Sequence, residues 1–321
     1  MRILAILAVL ATLAWGGYWV AGSRGLDHAI TTGLAQLPHV QVAGHSIRGF
    51  PNRFDVTFDE PHVQADGLEW SAPFVQIFAL SYRLNHLLAV FAHDQRLTGP
   101  GFDAALRSED MRASLVMEAG LDLPLDRFTL VGEGLTLSVN HQSHSLDTLR
   151  AASRRITDTQ HEVVVLMEHV FPDLGLLEEF DPQGHFPRTF QVVRLDGLIE
   201  TDRPLDRHLV GGPDPLITSV ALTGGRLAWI GVNIVASGRL EPGPDGRLSG
   251  DVRLSITGYR DLLETAREAG LIPPDSLALL SIAAQSLVDP ADPDTLNADL
   301  TVTDGVLRFG PLVLAQIPAL F

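Results

Sequence analysis

Twelve histidines are the residues of this 321-residue chain most able to do chemistry near neutral pH. The tightest grouping is His141 and His144, with His161 and His169 further along. A zinc site needs three or four ligands converging at about 2.0–2.3 Å, and His141-x-x-His144 supplies two, with no H-E-x-x-H to add a base. These histidines therefore read as solvated. Serine chemistry fares no better: Gly22-Ser-Arg-Gly25 and Leu248-Ser-Gly250 come nearest to a G-x-S-x-G elbow and lack its spacing. Acids gather at Glu178, Glu179 and Asp181 and at Asp289, Asp292 and Asp294. Paired acids can cleave glycosides or bind calcium, yet the run from Asp289 to Asp294 is broken by Pro290 and Pro293 and has none of a calcium loop's glycine or distal glutamate. A solvated turn is the expectation. Arg53 and Arg83 are expected to pair with Asp55 or Asp59 as structural ion pairs.

Composition narrows the chemistry further. There is no cysteine, hence no thiolate or disulfide, and every basic side chain that is not histidine is arginine, which removes a Schiff base and a P-loop lysine. No cofactor motif and no metal site is read. With 39 acidic against 23 basic residues the formal charge is -16. Clustered cations for phosphate contact are missing, so nucleic acid is excluded as a partner, and anionic headgroups would repel the acidic body.

What would position such residues begins with the run Ile3 to Ala21, apolar throughout, preceded by Arg2 and closed by Trp15, Tyr18 and Trp19. Eighteen or so apolar residues suffice to cross a hydrocarbon core of about 30 Å, and Trp and Tyr favour the interface. Arg2 is expected to stay on the cytoplasmic side, leaving the remainder beyond the membrane. The rival reading is a cleaved signal peptide, with Val20 and Gly22 as the small residues before Ser23.

Beyond a short helical stem, Leu26 to Leu37, the pattern has period two. In RFDVTFDE the residues Phe54, Val56 and Phe58 face one way and Asp55, Thr57 and Asp59 the other, which marks a strand with one buried and one wet face. Similar runs at Phe74 to Leu80, Leu87 to Phe91, Met111 to Met117 and Phe128 to Val139 predict an antiparallel meander. From Ser145 as N-cap, Leu149, Ala152, Ile156, Val163, Leu166 and Val170 recur at helical spacing until Pro172, predicting a helix, followed by a loop to Pro187. Strands resume at Phe190 to Glu200, Leu216 to Ile230, Val232 to Leu240 and Arg247 to Thr257. A turn is expected at Glu241 to Gly246, then two helices, Tyr259 to Ala269 and Pro274 to Val288, and closing strands. Glycines ahead of the alternating runs permit bends in a long sheet.

The expected fold is thus mainly β with α insertions. An anchor or signal peptide occupies residues 1–22, an N-terminal antiparallel lobe 23–144, a helical insertion and loop 145–187, and a C-terminal antiparallel lobe 188–321.

Gly49-Phe-Pro-Asn-Arg-Phe54 continuing to Phe58, with Trp70-Ser-Ala-Pro73, Leu97-Thr-Gly-Pro-Gly101 and the LDGLIE segment, resembles an alphaproteobacterial envelope family known as domain of unknown function 2125. The resemblance covers most of the chain and implies an envelope location without catalytic residues. The closing strand, helix pair and LTVTDGVLRFG resemble more distantly the AsmA-type proteins, anchored envelope proteins associated with lipid handling.

Three functions follow as expectations. The first is a single-pass inner-membrane protein with its bulk in the periplasm, whose curved sheet binds an acyl chain or phospholipid through Phe54, Val56, Phe58, Leu135, Leu137, Leu227 and Trp229. The second is a structural module presenting a β surface to another envelope protein. The third is an enzyme of unrecognised type.

Overall fold

The computed structural model describes residues 2–65, 67–140, 142–173, 184, 186–209, 212–213, 215–268, 284–285 and 287–320. The chain is mostly β, 59% strand, and among the described residues it has one long N-terminal apolar helix, one short α-helix and antiparallel strand pairing. It divides into two units, Met1–Gln142 with Asp206–Gly212, and Ser143–Leu205 with Pro213–Phe321.

In the first unit α1 (Arg2–Gln36) is unbroken, so the apolar run and the stem form one helix. Its surroundings change part-way along. Residues 2–15 are exposed on every side, whereas from Gly16 onward Trp19, Ser23, Leu26, Ile30 and Leu34 form a half-buried stripe at three- and four-residue spacing. The first half of α1 stands clear of the body and the second half is docked on it.

The docking surface belongs to a creased meander. Its strands are β1 (Val40–Gln41), β2 (Gly44–Arg48), β3 (Arg53–Asp59), β4 (His62–Ala65), β5 (Leu68–Ser71) and β6 (Phe74–Leu80). They continue with β7 (Arg83–Phe91), β8 (Asp94–Gly99), β9 (Phe102–Arg107), β10 (Asp110–Met117) and β11 (Leu125–Val139). One leaf pairs in the order β2-β3-β6-β7-β10-β11. The other pairs as β1-β4-β5-β8-β9-β11. Each long strand therefore passes from one leaf to the other, breaking at Val42-Ala43, Glu60-Pro61, Ala72-Pro73, Ala92-His93 or Ser108-Glu109, while β11 runs through its own bend near Gly134. Prolines cannot donate to a ladder and an offset pair of residues bends a strand, so Pro61 and Pro73 suit these places. Bonds across the breaks keep the leaves joined, among them Ala43 N–H to Asp59 O, Glu60 N–H to Pro73 O and Ser108 N–H to His93 O, each 2.9 Å. Small side chains fill the crease: Ala72, Ala92 and Ser108 are all buried.

The second unit is a simpler meander. Its strands are β12 (Gln142–Arg155), β13 (Gln160–Val170), β14 (Phe190–Thr201), β15 (Ile217–Trp229), β16 (Val232–Pro242) and β17 (Leu248–Thr257). After α2 (Tyr259–Glu268) come β18 (Val288–Asp289), β19 (Asp292–Thr303), β20 (Val306–Phe309) and β21 (Leu312–Gln316). From β12 each strand pairs with the next as far as β17, which pairs with β19; β19 then carries β18 and β20, and β20 carries β21.

Residues 145–170 overturn one expectation. The predicted helix is the hairpin β12–β13, with Thr148 to Arg155 paired against His161 to Glu168. Apolar residues here occur at both parities, so Leu149, Ala152 and Ile156 match a helical stripe by coincidence. The Val163-Val164-Val165 run decides the matter, because β-branched side chains lose rotamer freedom in a helix and pack well on a pleated surface. The loop expected from Pro172 to Pro187 and the helix from Pro274 onward lie almost wholly outside the described residues. At the end of that helix Val288 is in a strand instead.

Candidate functional site

The register of the second unit assembles a feature that no single strand shows. Reading across the sheet, Leu149 faces Met167, Met167 faces Val193, Val193 faces Leu227, Leu227 faces Ile234, Ile234 faces Ile256 and Ile256 faces Leu296. Because facing residues share a side of the sheet, this is one apolar rank over seven strands. At about 4.8 Å per strand it runs about 29 Å, roughly twice the hydrocarbon depth of one leaflet. A second rank on the same face holds Ala151, Val165, Leu195, Gly225, Ala236, Leu254 and Ala298. All seven residues of the first rank are half-buried, and Leu195 in the second is 44% exposed.

The other face of the same strands is charged. Arg154 pairs with Glu162 at 2.6 Å, Arg194 with Asp196 at 2.7 Å and Arg253 with Asp299 at 2.8 Å. Hydrogen bonds from Arg194 hold the Asp196 carboxyl below its ordinary pKa. The sheet is therefore two-sided in the sense the alternation predicted: one side meets water and the other is apolar.

In the first unit the matching apolar face begins beneath α1. Phe54, Val56 and Phe58 lie side by side along β3, and Phe54 and Val56 are 4% and 6% exposed. Trp19 stacks on Phe54, and Gly22 comes so close to its ring that an added Cβ would stand 2.9 Å from Cζ. His45 Nε2 lies 2.8 Å from Asp27 of α1 and its ring packs by Phe58. Phe54 thus packs against the helix, and Phe58 against the histidine that pairs with it. The face continues past it through Ala79, Leu87, Leu115 and Phe128, and through Ile77, Ala89, Ala113 and Leu130. Leu135 is buried at the bend of β11 and Leu137 is 38% exposed beyond it. Leu227 is a member of the seven-strand rank, while Trp229, two residues further along β15, packs among Phe186 and Phe190, its indole N–H donating to the Pro187 carbonyl at 2.8 Å. Five of the seven lie in the first unit and two, Leu227 and Trp229, in the second.

The chemistry-bearing groups are also spread out. His144 Nδ1 accepts from the Asp173 amide, His169 meets Asp147 at 2.9 Å, and His141 is outside the described residues. His161 is 3% exposed on the apolar side of β13, its Nδ1 3.2 Å from Ser153 Oγ and its Nε2 without a partner. Burial, then the nearby Arg155 charge, pushes its pKa below the usual value. Asp289 accepts from the Ala291 amide and Asn297, and Asp292 from the Asp294 amide and Thr295, which are turn bonds. Glu178, Glu179 and Asp181 are outside the described residues. Ser249 Oγ accepts from the Asp304 amide, and Ser23 Oγ donates to the Val20 carbonyl. Arg53 pairs with Asp55 at 2.9 Å, as expected. Among the described residues no group of three or more His, Asp or Glu is placed to hold a metal ion.

The motif around Gly49 acquires a structural meaning. Gly49 has φ +100°, a conformation that side chains rarely adopt, and its carbonyl accepts from the Arg53 amide to close a turn. That turn exposes two carbonyls to α1: Pro51 O accepts from Trp15 Nε1 at 3.0 Å and Arg53 O from Trp19 Nε1 at 2.7 Å. Trp70, further along, donates to the buried Gln95 side chain at 3.1 Å.

Residues 18–318 match the family described as "Uncharacterized protein conserved in bacteria (DUF2125)", and the chain belongs to it. The match begins at Tyr18, where α1 is already docked, so the docked half of the helix is part of the family's domain. No curated protein and no solved structure matches the chain. α1 is long and apolar enough to cross a membrane, a property shared with signal sequences.

Proposed function

We propose that this protein is held in the inner membrane by α1 with its bulk in the periplasm, and that the second unit takes an acyl chain or phospholipid on its apolar face. The supporting observation is the seven-strand rank from Leu149 to Leu296, which is apolar, half-buried and backed by a charged opposite face. At about 0.8 kcal/mol per methylene a sixteen-carbon chain would gain on the order of 10 kcal/mol from such a surface, before the loss of its own freedom is subtracted. The acidic composition leaves hydrocarbon, rather than headgroup charge, as the feature recognised.

Native mass spectrometry tests this reading on the full-length chain, extracted in a mild detergent that is removed in the gas phase. Bound phospholipid or fatty acid at one or a few copies is the expected result. Repeated spectra showing only the bare chain overturn it.

A further inference from the structure

Three turns of the first unit end at one level, away from the crease: residues 49–52 between β2 and β3, Ser81-Tyr82 between β6 and β7, and residues 118–124 between β10 and β11. Turns are normally polar, yet these carry Phe50 at 59% exposure, Tyr82 at 68% and Leu121 at 85%, with Leu84 at 55% beside them. The third turn also holds residues 206–209, through the bond from the Arg207 amide to the Asp122 carbonyl, and Leu209 there is exposed.

The aromatic cluster of α1 is tied to this same rim. Trp15 donates to the Pro51 carbonyl, the Tyr18 hydroxyl donates to the Ser81 carbonyl at 2.7 Å, and Trp19 packs edge-on against Phe50. The rim is thus fixed to the helix at Trp15. Of the apolar run bounded by Arg2, residues 3–14 stand clear of it, and at 1.5 Å per residue that is about 18 Å. A hydrocarbon core of about 30 Å needs roughly 12 Å more. The missing length lies alongside Trp15 to Ala21, where the turns are.

Resting on the reading of α1 as a membrane span, we propose that the rim of Phe50, Tyr82, Leu84 and Leu121 sits within the headgroup and acyl boundary of the bilayer that α1 crosses. The partner is a phospholipid bilayer surface, met by apolar tips rather than by a basic patch. Tips of this kind reach the depth of about 5–10 Å at which interfacial apolar side chains come to rest. Trp15 and Tyr18 then stand at the interface while their polar atoms are satisfied by the turns.

The absence of cysteine allows a direct test with the full chain in vesicles of phosphatidylethanolamine and phosphatidylglycerol. Single substitutions Phe50→Cys, Tyr82→Cys and Leu121→Cys carry an environment-sensitive fluorophore. Leu7→Cys reports on the span and Glu109→Cys, exposed at the crease, on bulk water. Spin-labelled lipids should quench the three tip labels about twofold more than Glu109→Cys, as burial in the boundary region requires. If Leu7→Cys is quenched while all three tips match Glu109→Cys, the rim stands in bulk water and the proposal is overturned, with the anchor left standing. If Leu7→Cys itself escapes quenching, α1 does not span and both readings fall.

Discussion

Trp19 of α1 lies over Phe54 of β3 with ring centroids 5.9 Å apart and planes 19° from parallel, while its indole N–H donates to the carbonyl of Arg53, the residue just before. One side chain therefore joins helix to sheet through both apolar contact and a bond to backbone. Trp19→Ala should cost about 2–4 kcal/mol of local stability, from lost packing and one unsatisfied carbonyl. Hydrogen exchange would show amides of β2 and β3 opening faster, with those of the second unit unchanged. Unaltered exchange in β3 would mean that the helix does not hold the strand.

Two glycines make opposite predictions. Gly25, in α1, has open space where a Cβ would go, so Gly25→Ala should stabilise by about 0.5–1 kcal/mol. Gly250, in β17, has φ +151°, and a Cβ there would collide with the Arg239 carbonyl of the paired strand. Gly250→Ala should cost more than about 1 kcal/mol and loosen β16 from β17. Urea unfolding curves of the two variants decide it, and equal midpoints would contradict the backbone argument.

Acid sensitivity should trace in part to His161. Its pKa is lowered on folding, so the unfolded chain binds a proton more readily than the folded one. Stability from this group is therefore full above about pH 6.5 and is lost as pH falls from there toward the lowered value. His161→Gln removes the titration, and its urea midpoint should fall less between pH 8 and pH 5 than that of the parent chain. Parallel pH profiles would remove His161 from the explanation.

The apolar face of the second unit allows binding to be separated from folding. Leu195 is 44% exposed and Leu300, on the same side of the sheet, 3%. Leu195→Asp should leave the unfolding midpoint nearly unchanged and strip the bound lipid seen by native mass spectrometry. Leu300→Ala should cost about 2–5 kcal/mol. If Leu195→Asp retains lipid in full, the rank does not carry the binding.

Much of the β structure was legible in the sequence because alternation is a local signal. RFDVTFDE gives β3 and its buried face directly, and the runs at Phe74, Met111 and Phe128 each fall on a strand. The crease was not legible, since Ala72-Pro73 and Ala92-His93 look like ordinary strand ends until the pairing on both sides is known. The hairpin at residues 145–170 reads as a helix because Leu149 and Ala152, three apart, fit a helical stripe while apolar residues at both parities hide the alternation, and only the partner strand settles which. The same misreading hid Leu149 and Met167, the two residues that begin the seven-strand rank. Of the residues expected to touch ligand, Phe54 and Val56 were rightly taken as apolar and strand-borne. That α1 would cover Phe54 depends on Trp19 and Gly22 reaching β3, a contact 32 or more positions away in the chain.

The unbroken course of α1 from its bare half into its docked half leaves no swivel between them. A body hung from a glycine-rich tether tumbles and samples a wide radius. The first unit instead inherits a fixed pose and height from whatever holds residues 2–14.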